Sequence, residues 1–346
     1  MITAIDFGCF EIRSAFRQAK DGAPITVFSE RSEYLVLPNT ERYRQLLGTH
    51  VIPHAECEDT LAVYGNQAAH MRWLSRMPSA GIFQNGVVPS DDPPARQMVD
   101  LICTAILPPP DATLNLCVFT VPGSESRAKS QEFLSRLIRM RGYEPLAVSA
   151  GEVAMLAEGS ESSFSGISVV IGAETSEISI SRLGVSSSSV VIPVGAAWID
   201  IELAREFGIQ VFDEAGNVWL DLETIQEWKH NPERNLRNSV GEREQVLSRL
   251  YRAMLDRIAQ ATHQLLSQPH VQSALGTERL NVICCGGPTH IAGFASALTE
   301  RLVEQDIAKC IQSVRTVDQP ELTVLRGLLI SGELEARCRR QSSSAA

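Results

Sequence analysis

Apolar and polar positions alternate at the start of the chain, on both sides of a short turn. In TAIDFGCFEIRSAF, residues 3–16, an apolar run ends on Asp6, passes Gly8, and then alternates again from Ile12 to Phe16. A period of two is typical of a half-buried strand, so the pattern predicts a β-hairpin. The turn has two interpretations: an ordinary hairpin loop, or a phosphate-binding turn in which backbone amides approach an anion and the carboxylate holds a metal ion.

Strands and helices alternate through the rest of the first half. β-Branched and aromatic runs bounded by Pro or Gly predict strands, and apolar residues spaced three and four apart predict helices. One continuous apolar run, TLNLCVFTV, is of the kind that is buried on both faces of a sheet. The order is typical of an α/β protein. The predicted strands lie at 26–38, 60–65 and 113–121, and the predicted helices at 93–107 and 124–142.

The second half repeats the opening pattern. The Ser-rich connector at 160–166 is the best domain boundary in the sequence, and residues 167–184 after it again read strand, glycine turn and strand. The glycine of this turn, Gly172, lies nearly half a chain length after Gly8. We therefore predict an internal duplication, with two unrelated hairpins as the alternative.

Periodicity also predicts the remaining elements of the second half. Residues 197–208 predict a helix, 210–222 a hairpin, and 247–265 a long helix whose apolar positions recur with a period near 3.6. A buried strand then ends at a Gly-Gly pair, 286–287, and passes into a helix, so helix N-terminal amides face that turn. The last predicted helix, 320–338, precedes a polar tail that we expect to be disordered.

Length, charge and cysteine content narrow the class of protein. A chain of 346 residues with 44% hydrophobic residues usually forms two domains. The net charge of -10 disfavours binding to nucleic-acid phosphates or anionic lipids. The start of the chain has neither a basic leader nor a long apolar segment, which predicts a cytoplasmic protein. The eight cysteines lack CxxC spacing and are expected to be reduced.

One short segment has the residue types of a metal site. His50, His54 and Cys57 in THVIPHAECED could supply three ligands. The rest of the sequence offers no second ligand pair, and a solvated loop explains the segment as well. Both interpretations stay open at this stage.

Four stretches of the sequence resemble one superfamily, and the resemblance extends over nearly the whole chain apart from residues at about 208–245. VFTVPGSESRAKSQEF opens a stretch at 118–159 that resembles a Val-Pro strand, a helix, a strand and a hinge helix. VICCGGPTHIAGF, 282–294, resembles an adenosine motif, and DQPELTVLRGLLI, 318–330, a closing helix. Residues 61–102 are similar to the segment that passes a Gly-Val-Ile turn. With three glycine turns, these stretches resemble the actin and heat-shock-chaperone ATPase superfamily, and most of all the bacterial actin MreB.

The resemblance implies a fold class and a domain organisation. The fold would be α/β and actin-like, a duplicated ribonuclease H-like fold with two lobes, each a mixed sheet flanked by helices, around a central cleft for Mg-ATP. Lobe I would comprise residues 1–155, with the closing helix 320–338 packed back on it. Lobe II would comprise 156–319 and contain a reduced subdomain at about 208–265.

The resemblance also implies roles for particular residues. Asp6 would hold Mg²⁺ through water, and Gly8 would offer its backbone amide to the β-phosphate. The other positions expected to bind ATP are Cys9 in the first turn, Gly172 and Thr175 in the second phosphate hairpin, Gly195 near the ribose and phosphates, Gly286 and Gly287 against the adenine and ribose, and His290 beside the base.

The sequence departs from the family pattern at the phosphate turns. Cys9 and Phe10 follow Gly8 where the family has small or hydroxyl residues. In the second turn Val170 replaces an Asp, and Glu174 stands inside the loop. A carboxylate about 5 Å from a phosphate oxygen costs roughly 3 kcal/mol at an effective dielectric of 20, or ~100-fold in affinity.

The hinge helix departs from the family as well. Its water-positioning Glu corresponds to Ala150 or Gly151, with Glu152 nearby as the candidate catalytic residue. Loss of a general base typically costs about 10² to 10⁴ in rate. The sequence therefore predicts at most a slow ATPase.

These departures favour an MreB-like bacterial actin-fold protein that acts as a cytoskeletal or assembly scaffold with a degenerate, weak or silent ATP site. The alternative is an active Mg-ATP-dependent polymerising ATPase of the MreB class, with a role in cell shape or segregation. The expected partners are further copies of the chain, or cell-envelope or division proteins. Direct membrane insertion is not expected, because the loop that inserts in many relatives carries Pro108, Pro109 and Pro110 here.

Overall fold

The chain divides into two compact units. The first unit contains Met1–Ala147 and Val211–Trp219, and the second contains Val148–Gln210 and Leu220–Ala346. The structure is a computed structural model, and it describes residues 1–17, 24–57, 59–75, 77–110, 115–123, 127–212, 216–275 and 278–344.

The first unit is built on a mixed sheet in which a hairpin leads into parallel strands. The strands of the described part are β1 Ile2–Phe7, β2 Glu11–Arg17, β3 Ile25–Arg31, β4 Glu33–Pro38, β5 His54–Cys57, β6 Thr60–Tyr64, β7 Ala80–Gly81, β8 Leu116–Thr120 and β9 Glu144–Ala147. The helices are α1 Glu41–Thr49, α2 Gly65–Ser75, α3 Pro93–Ile106 and α4 Arg127–Met140.

The main sheet of the first unit has the strand order β3-β2-β1-β8-β9, and β4 to β7 form a second, smaller sheet. β1 pairs antiparallel with β2 and parallel with β8. One face of the main sheet carries the core, in which Ile5 and Phe7 of β1 pack with Met98 of α3 and Leu134 of α4. The apolar period of two in β1 and β2 produces this one-sided core.

The second unit repeats the architecture of the first. The strands of its described residues are β10 Gly166–Ile171, β11 Ser176–Arg182, β12 Val185–Ile192, β15 Leu280–Cys285 and β16 Ile311–Thr316. A short hairpin, β13 Gln210–Phe212 and β14 Val218–Leu220, is formed by residues most of which group with the first unit. The helices are α5 Ala150–Glu158, α6 Ala196–Glu206, α7 Leu222–Lys229, α8 Glu242–Leu266, α9 Pro269–Leu275, α10 Phe294–Glu304 and α11 Thr323–Ser344.

The two main sheets have the same topology, which confirms the predicted duplication. The second sheet has the order β12-β11-β10-β15-β16, with β10 antiparallel to β11 and parallel to β15. β10 therefore corresponds to β1, β11 to β2, β12 to β3 and β15 to β8. Each unit has its own apolar core, and α8 supplies a large share of the second.

Two glycines bring α5 close to the elements on either side of it. A Cβ on Gly151 of α5 would lie 2.1 Å from Ser179 Oγ on β11, and a Cβ on Gly327 of α11 would lie 1.9 Å from the carbonyl oxygen of Val153 on α5. Any side chain at these positions would separate the layers. The α5 helix is thus packed closely between the serine side chains of the second-unit sheet and α11.

The predicted reduced subdomain at 208–265 contains the β13–β14 hairpin, α7 and most of α8. Lys229 of α7 forms a buried ion pair with Asp200 of α6. The guanidinium of Arg243 lies 5.2 Å from the ring centroids of both Phe207 and Trp228. These contacts fasten α7 and the start of α8 to the core of the second unit.

Three local expectations differ from the structure. The polar tail expected to be disordered after residue 338 continues α11 to Ser344, where Arg339 bonds Glu335 one helical turn earlier. The closing helix, expected on lobe I, groups with the second unit, where it packs along α5. The single strand predicted at 26–38 divides into β3 and β4 at the buried Ser32.

Candidate functional site

The first glycine turn joins β1 and β2, and four residues, Gly8 to Glu11, lie between the last residues that pair in the hairpin. Phe7 pairs with Ile12 at the base of the turn. A Cβ on Gly8 would lie 2.6 Å from the carbonyl oxygen of Glu11, so only glycine fits this close approach. The half-buried side chain of Cys9 packs against the first-unit core.

Next to this turn, four polar residues form one row across four adjacent strands. Ser29 of β3 pairs with Arg13 of β2, Arg13 pairs with Asp6 of β1, and Asp6 pairs with Thr120 of β8. Paired residues share a face of the sheet, and Asp6 alternates with the core residues Ile5 and Phe7. The polar row of Ser29, Arg13, Asp6 and Thr120 therefore lies on the face opposite the core.

Asp6 is the acidic member of the polar row. Burial raises the pKa of Asp6 to about 6, while Arg13 acts to lower it and Glu11 to raise it further. The charged form is therefore disfavoured until a cation compensates it. Perturbed pKa values of this kind cluster at functional sites.

Glu11 and Phe10, at the end of the first turn, both contact neighbouring side chains. The Glu11 carboxylate accepts hydrogen bonds from Arg13 and Ser29. Phe10 is 36% exposed, and the Arg31 guanidinium lies 3.7 Å from its ring centroid. Phe10 is therefore not a core residue, and the charge of Glu11 is compensated locally.

The second glycine turn joins β10 and β11 with the same four-residue length. The Gly172 amide donates to the Thr175 carbonyl at 2.9 Å, which closes the turn. The first amides of α6, on Ala196 and Ala197, donate to the carbonyls of Gly172 and Ala173 at 3.0 and 2.8 Å. The N-terminus of α6 is thereby seated on the turn, with its dipole directed at it.

Three of the predicted glycines meet at the end of β10. A Cβ on Gly195 would lie 2.5 Å from the carbonyl oxygens of both Gly172 and Ala173. A Cβ on Gly286 would lie 2.0 Å from the carbonyl oxygen of Ile171, and Gly286 has a φ of +103°. The predicted positions 172, 195 and 286 are thus brought together within the second unit.

The row that corresponds to the polar row is almost entirely apolar in the second unit. Val191 of β12 pairs with Glu177 of β11, Glu177 with Val170 of β10, and Val170 with Cys285 of β15. Val170 and Cys285 pack with Met155 of α5. This apolar row of Val191, Glu177, Val170 and Cys285 lies on the face that α5 covers.

Glu177, which the sequence analysis overlooked, fixes the start of α5. Its buried carboxylate accepts hydrogen bonds from the Gly151 amide at 3.0 Å and from Ser179 Oγ at 3.2 Å. Ser149 caps the same helix end by accepting from the Glu152 amide at 3.2 Å. The sequence contains a signal for this residue, because Glu177 stands in a strand whose Ile residues are buried. Burial and the neighbouring Glu177 raise the pKa of Glu152, the candidate catalytic residue.

Gly287 and His290, which were also predicted to bind ATP, lie in the short segment that begins within the Gly-Gly pair. A Cβ on Gly287 would meet open space, so its backbone is accessible. His290 Nε2 lies 2.9 Å from Glu321 Oε2, an ion pair if the ring is protonated.

The described side chains include no group of three His, Cys, Asp or Glu residues able to hold a metal ion. The alternative site at His50, His54 and Cys57 is not fully covered, because the Cys57 side chain lies outside the described residues.

The first turn fits the hydrated cation and phosphates that the actin superfamily binds. Asp6 offers carboxylate oxygens of the kind Mg²⁺ prefers. The hydroxyl of Thr120 is buried beside it with no hydrogen-bond partner among the described residues. Arg13 adds a cation that the sequence analysis did not single out, although the alternation of residues 11–17 placed it on the face of Asp6. A bound Mg²⁺ would neutralise phosphate charge.

Comparison with known families gives a match over residues 1–332, to volactin. The chain belongs to the volactin family. Comparison of the chain with curated proteins finds no match. Within the helices of the part that the structure describes, none is long and apolar enough to span a bilayer.

Solved structures share the fold of this chain. A MamK double helical filament is similar with a TM-score of 0.69 and 18% identity over 96% of this chain and 98% of that chain. MreB5 of Spiroplasma citri bound to AMPPNP gives 0.68 and 14% over 99% and 98%. The ethanolamine utilization protein EutJ of Carboxydothermus hydrogenoformans gives 0.56 and 16% over 95% and 88%. These similarities confirm the actin-like fold inferred from the sequence.

Proposed function

We propose that the chain is a self-assembling, cytoplasmic actin-fold scaffold that binds Mg-ATP weakly and hydrolyses it slowly or not at all. Its partners would be further copies of itself, with cell-envelope or division proteins as additional partners in shaping the cell or segregating its contents. The observation that carries the slow-hydrolysis part is the start of α5, where Ala150 or Gly151 stands at the position of the water-positioning Glu in the superfamily that the sequence resembles.

Relatives support the assembly and nucleotide parts of the proposal. The MamK structure is a double helical filament, and a non-polymerising mutant of MamK is bound to AMPPNP. MreB5 has been solved with AMPPNP and with ADP. The first turn of this chain offers Asp6, Arg13 and the amide of Gly8 for the same ligand class.

An exposed apolar turn in the second unit supports self-association. Phe164, Leu183 and Val185 are 37%, 72% and 67% exposed, and we call this group the apolar turn. Two backbone contacts hold it together: the Gly184 amide donates to the Phe164 carbonyl at 2.9 Å, and the Leu183 amide to Ser165 Oγ at 3.0 Å. Phe164 and Leu183 both have positive φ, a conformation that is costly for bulky residues. Apolar side chains displayed at such a cost are typical of an interaction surface.

Sedimentation and electron microscopy, without nucleotide and with Mg-ADP or Mg-ATP, test the assembly part. We expect wild-type protein to pellet as ordered polymers, and Leu183→Asp to raise the critical concentration about tenfold. Met140→Asp is the matched control, because Met140 on α4 is 79% exposed and lies outside the apolar turn. Polymers of L183D equal to wild type would exclude the apolar turn, and absence of any polymer would contradict the scaffold proposal.

Two hinge-helix variants separate slow hydrolysis from the alternative of an active polymerising ATPase. One observation favours the alternative: Arg13 and Ser29 compensate the negative charge of Glu11, so that this charge would not prevent a phosphate from binding at the first turn. If hydrolysis is slow because the hinge helix lacks its water-positioning carboxylate, Ala150→Glu raises ATP turnover by about 10² and Glu152→Gln changes it little. If Glu152 acts as the base, Glu152→Gln abolishes turnover. Phosphate release at saturating Mg-ATP is the measurement, and labelled-ATP binding verifies saturation.

A further inference from the structure

Thr120 has an unusual environment at the end of the polar row. Its side chain is 2% exposed, and its Oγ1 has no hydrogen-bond partner within the part of the chain that the structure describes. Buried hydroxyls are almost always hydrogen-bonded, because an unpaired one loses its bonds to water without replacement. A buried hydroxyl without a partner, next to a desolvated carboxylate, indicates a bound ligand. Such a ligand would give the hydroxyl a hydrogen bond and the carboxylate a compensating charge.

The geometry of the sheet identifies what fits between Thr120 and Asp6. The two residues are direct neighbours on parallel strands β1 and β8, which lie about 4.8 Å apart. A water molecule that bonds two groups at about 2.8 Å from each spans that distance. Mg²⁺ keeps several of its waters in protein sites and is held through few carboxylates.

We infer that the Thr120 hydroxyl is a positioning group for a hydrated divalent cation held by Asp6, through a water molecule that both residues bind. Arg13, on the other side of Asp6, lies where it can face a phosphate oxygen that the cation also contacts. Thr120 therefore sets the orientation of the cation's water shell without binding the nucleotide itself. The inference rests on the nucleotide part of the proposed function, and it concerns first-unit residues alone.

The chain contains a matched control for this role. Thr3 of β1 is fully buried, and its Oγ1 also lacks a partner among the described residues. It lies on the core face of the same sheet, three residues before Asp6. Replacement by the isosteric Val removes an orphaned hydroxyl at either position, so both Thr3→Val and Thr120→Val should raise the melting temperature of the ligand-free protein, by about 2–4 °C.

The two variants should differ only in cation binding. The probe is Mn²⁺ in place of Mg²⁺, titrated by electron paramagnetic resonance in the presence of saturating ADP. We expect T120V to weaken Mn²⁺ binding about tenfold, which corresponds to one lost hydrogen bond to a charged group, while Thr120→Ser and T3V retain wild-type affinity. ADP affinity measured in EDTA should be the same in all four proteins.

The outcomes separate this inference from the proposed function. Equal Mn²⁺ affinity in T120V and T3V would overturn the role of Thr120 while leaving nucleotide binding intact. A wild-type protein that binds ADP but no Mn²⁺ would overturn the cation site. A wild-type protein that binds neither at millimolar concentration would overturn both this inference and the nucleotide part of the proposed function.

Discussion

The two corresponding rows of the duplicated sheets differ completely in chemistry. In the first unit the row reads Ser29, Arg13, Asp6 and Thr120, and in the second it reads Val191, Glu177, Val170 and Cys285. Topology, turn length and the glycine that begins each turn are the same. The topology of the repeat is therefore the same whether the residues on this face of the sheet are polar or apolar.

The difference has a structural cause in the second unit. There α5 packs over the apolar row, and the one remaining acid, Glu177, bonds the first turn of that helix. A carboxylate at Val170 would be buried against Met155 and next to Glu177, without a cation. We therefore interpret the loss of the second Asp as an adaptation to packing, which leaves ligand chemistry concentrated in the first unit.

The largest effect is expected from placing an acid at Val170, where the actin superfamily that the sequence resembles has an Asp. Val170→Asp should lower the free energy of unfolding by about 3–5 kcal/mol at pH 7, because it buries an uncompensated charge beside Glu177. Denaturant unfolding of V170D against wild type measures the loss. The deficit should shrink on acidification, as the new carboxyl group becomes protonated.

Val170→Thr is the control, since it adds a neutral polar group of similar volume. A loss of unfolding free energy in V170D no larger than in V170T would show that the apolar row is open to water. The polar row and the apolar row would then have similar environments.

The next largest effect compares two adjacent glycines. Gly286→Ala should destabilise the protein by about 2–4 kcal/mol, because its Cβ would lie 2.0 Å from the Ile171 carbonyl oxygen and its φ is positive. Gly287→Ala should be nearly neutral, because its Cβ would meet open space. Thermal unfolding of both variants checks the pair. Similar losses would contradict the close approach of Gly286 to β10.

A pH profile of Asp6→Asn tests the polar row. The folded-state pKa of Asp6 is raised to about 6 from an ordinary 3.8, so its stabilising contribution is present below about pH 4 and is lost as pH rises through 6. At pH 7 the charged Asp6 should cost roughly 2–3 kcal/mol, which D6N relieves. Urea unfolding from pH 4 to 8 should show the stability gap opening between these two pKa values. A gap independent of pH would refute the desolvation of Asp6.

The smallest effect concerns the tip of the first turn. A double-mutant cycle of Phe10→Ala and Arg31→Ala should give a coupling of about 0.5–1 kcal/mol, as expected for a cation–π pair at an exposed site. A single-mutant loss above about 3 kcal/mol in F10A would instead assign Phe10 to the core.

Local periodicity predicted those parts of the fold that depend on local physics. The alternation around Gly8 and Gly172 predicted both hairpins, and the two apolar runs that end near Thr120 and Cys285 predicted the central parallel strands. Helices α1 and α2 were missed, since α1 has a single buried residue, Leu47, and α2 has weak amphipathic patterning.

Three of the candidate glycines come together in the structure, whereas the contacts of the side chains around the first turn were not anticipated. Glycines 172, 195 and 286 meet because each is required by a close backbone approach, which leaves a mark in the sequence. The compensation of Glu11 by Ser29 depends on pairing between strands that are distant in sequence, and no local pattern reports it. The role of Thr120 was hidden for the same reason, because it arises from a neighbour more than a hundred residues away.

Gly151 and Gly327 have a mechanical consequence. Gly327 lets α11 approach the main chain of α5, and Gly151 lets α5 approach the small side chains of Ser179 and Ser168 on the sheet, so these contacts set the thickness of the stack of sheet, α5 and α11. A larger side chain in place of either glycine or either serine would therefore increase that thickness. A hinge movement of α5 would therefore proceed by sliding within its layer, since lifting it from the sheet would open a gap along its whole length.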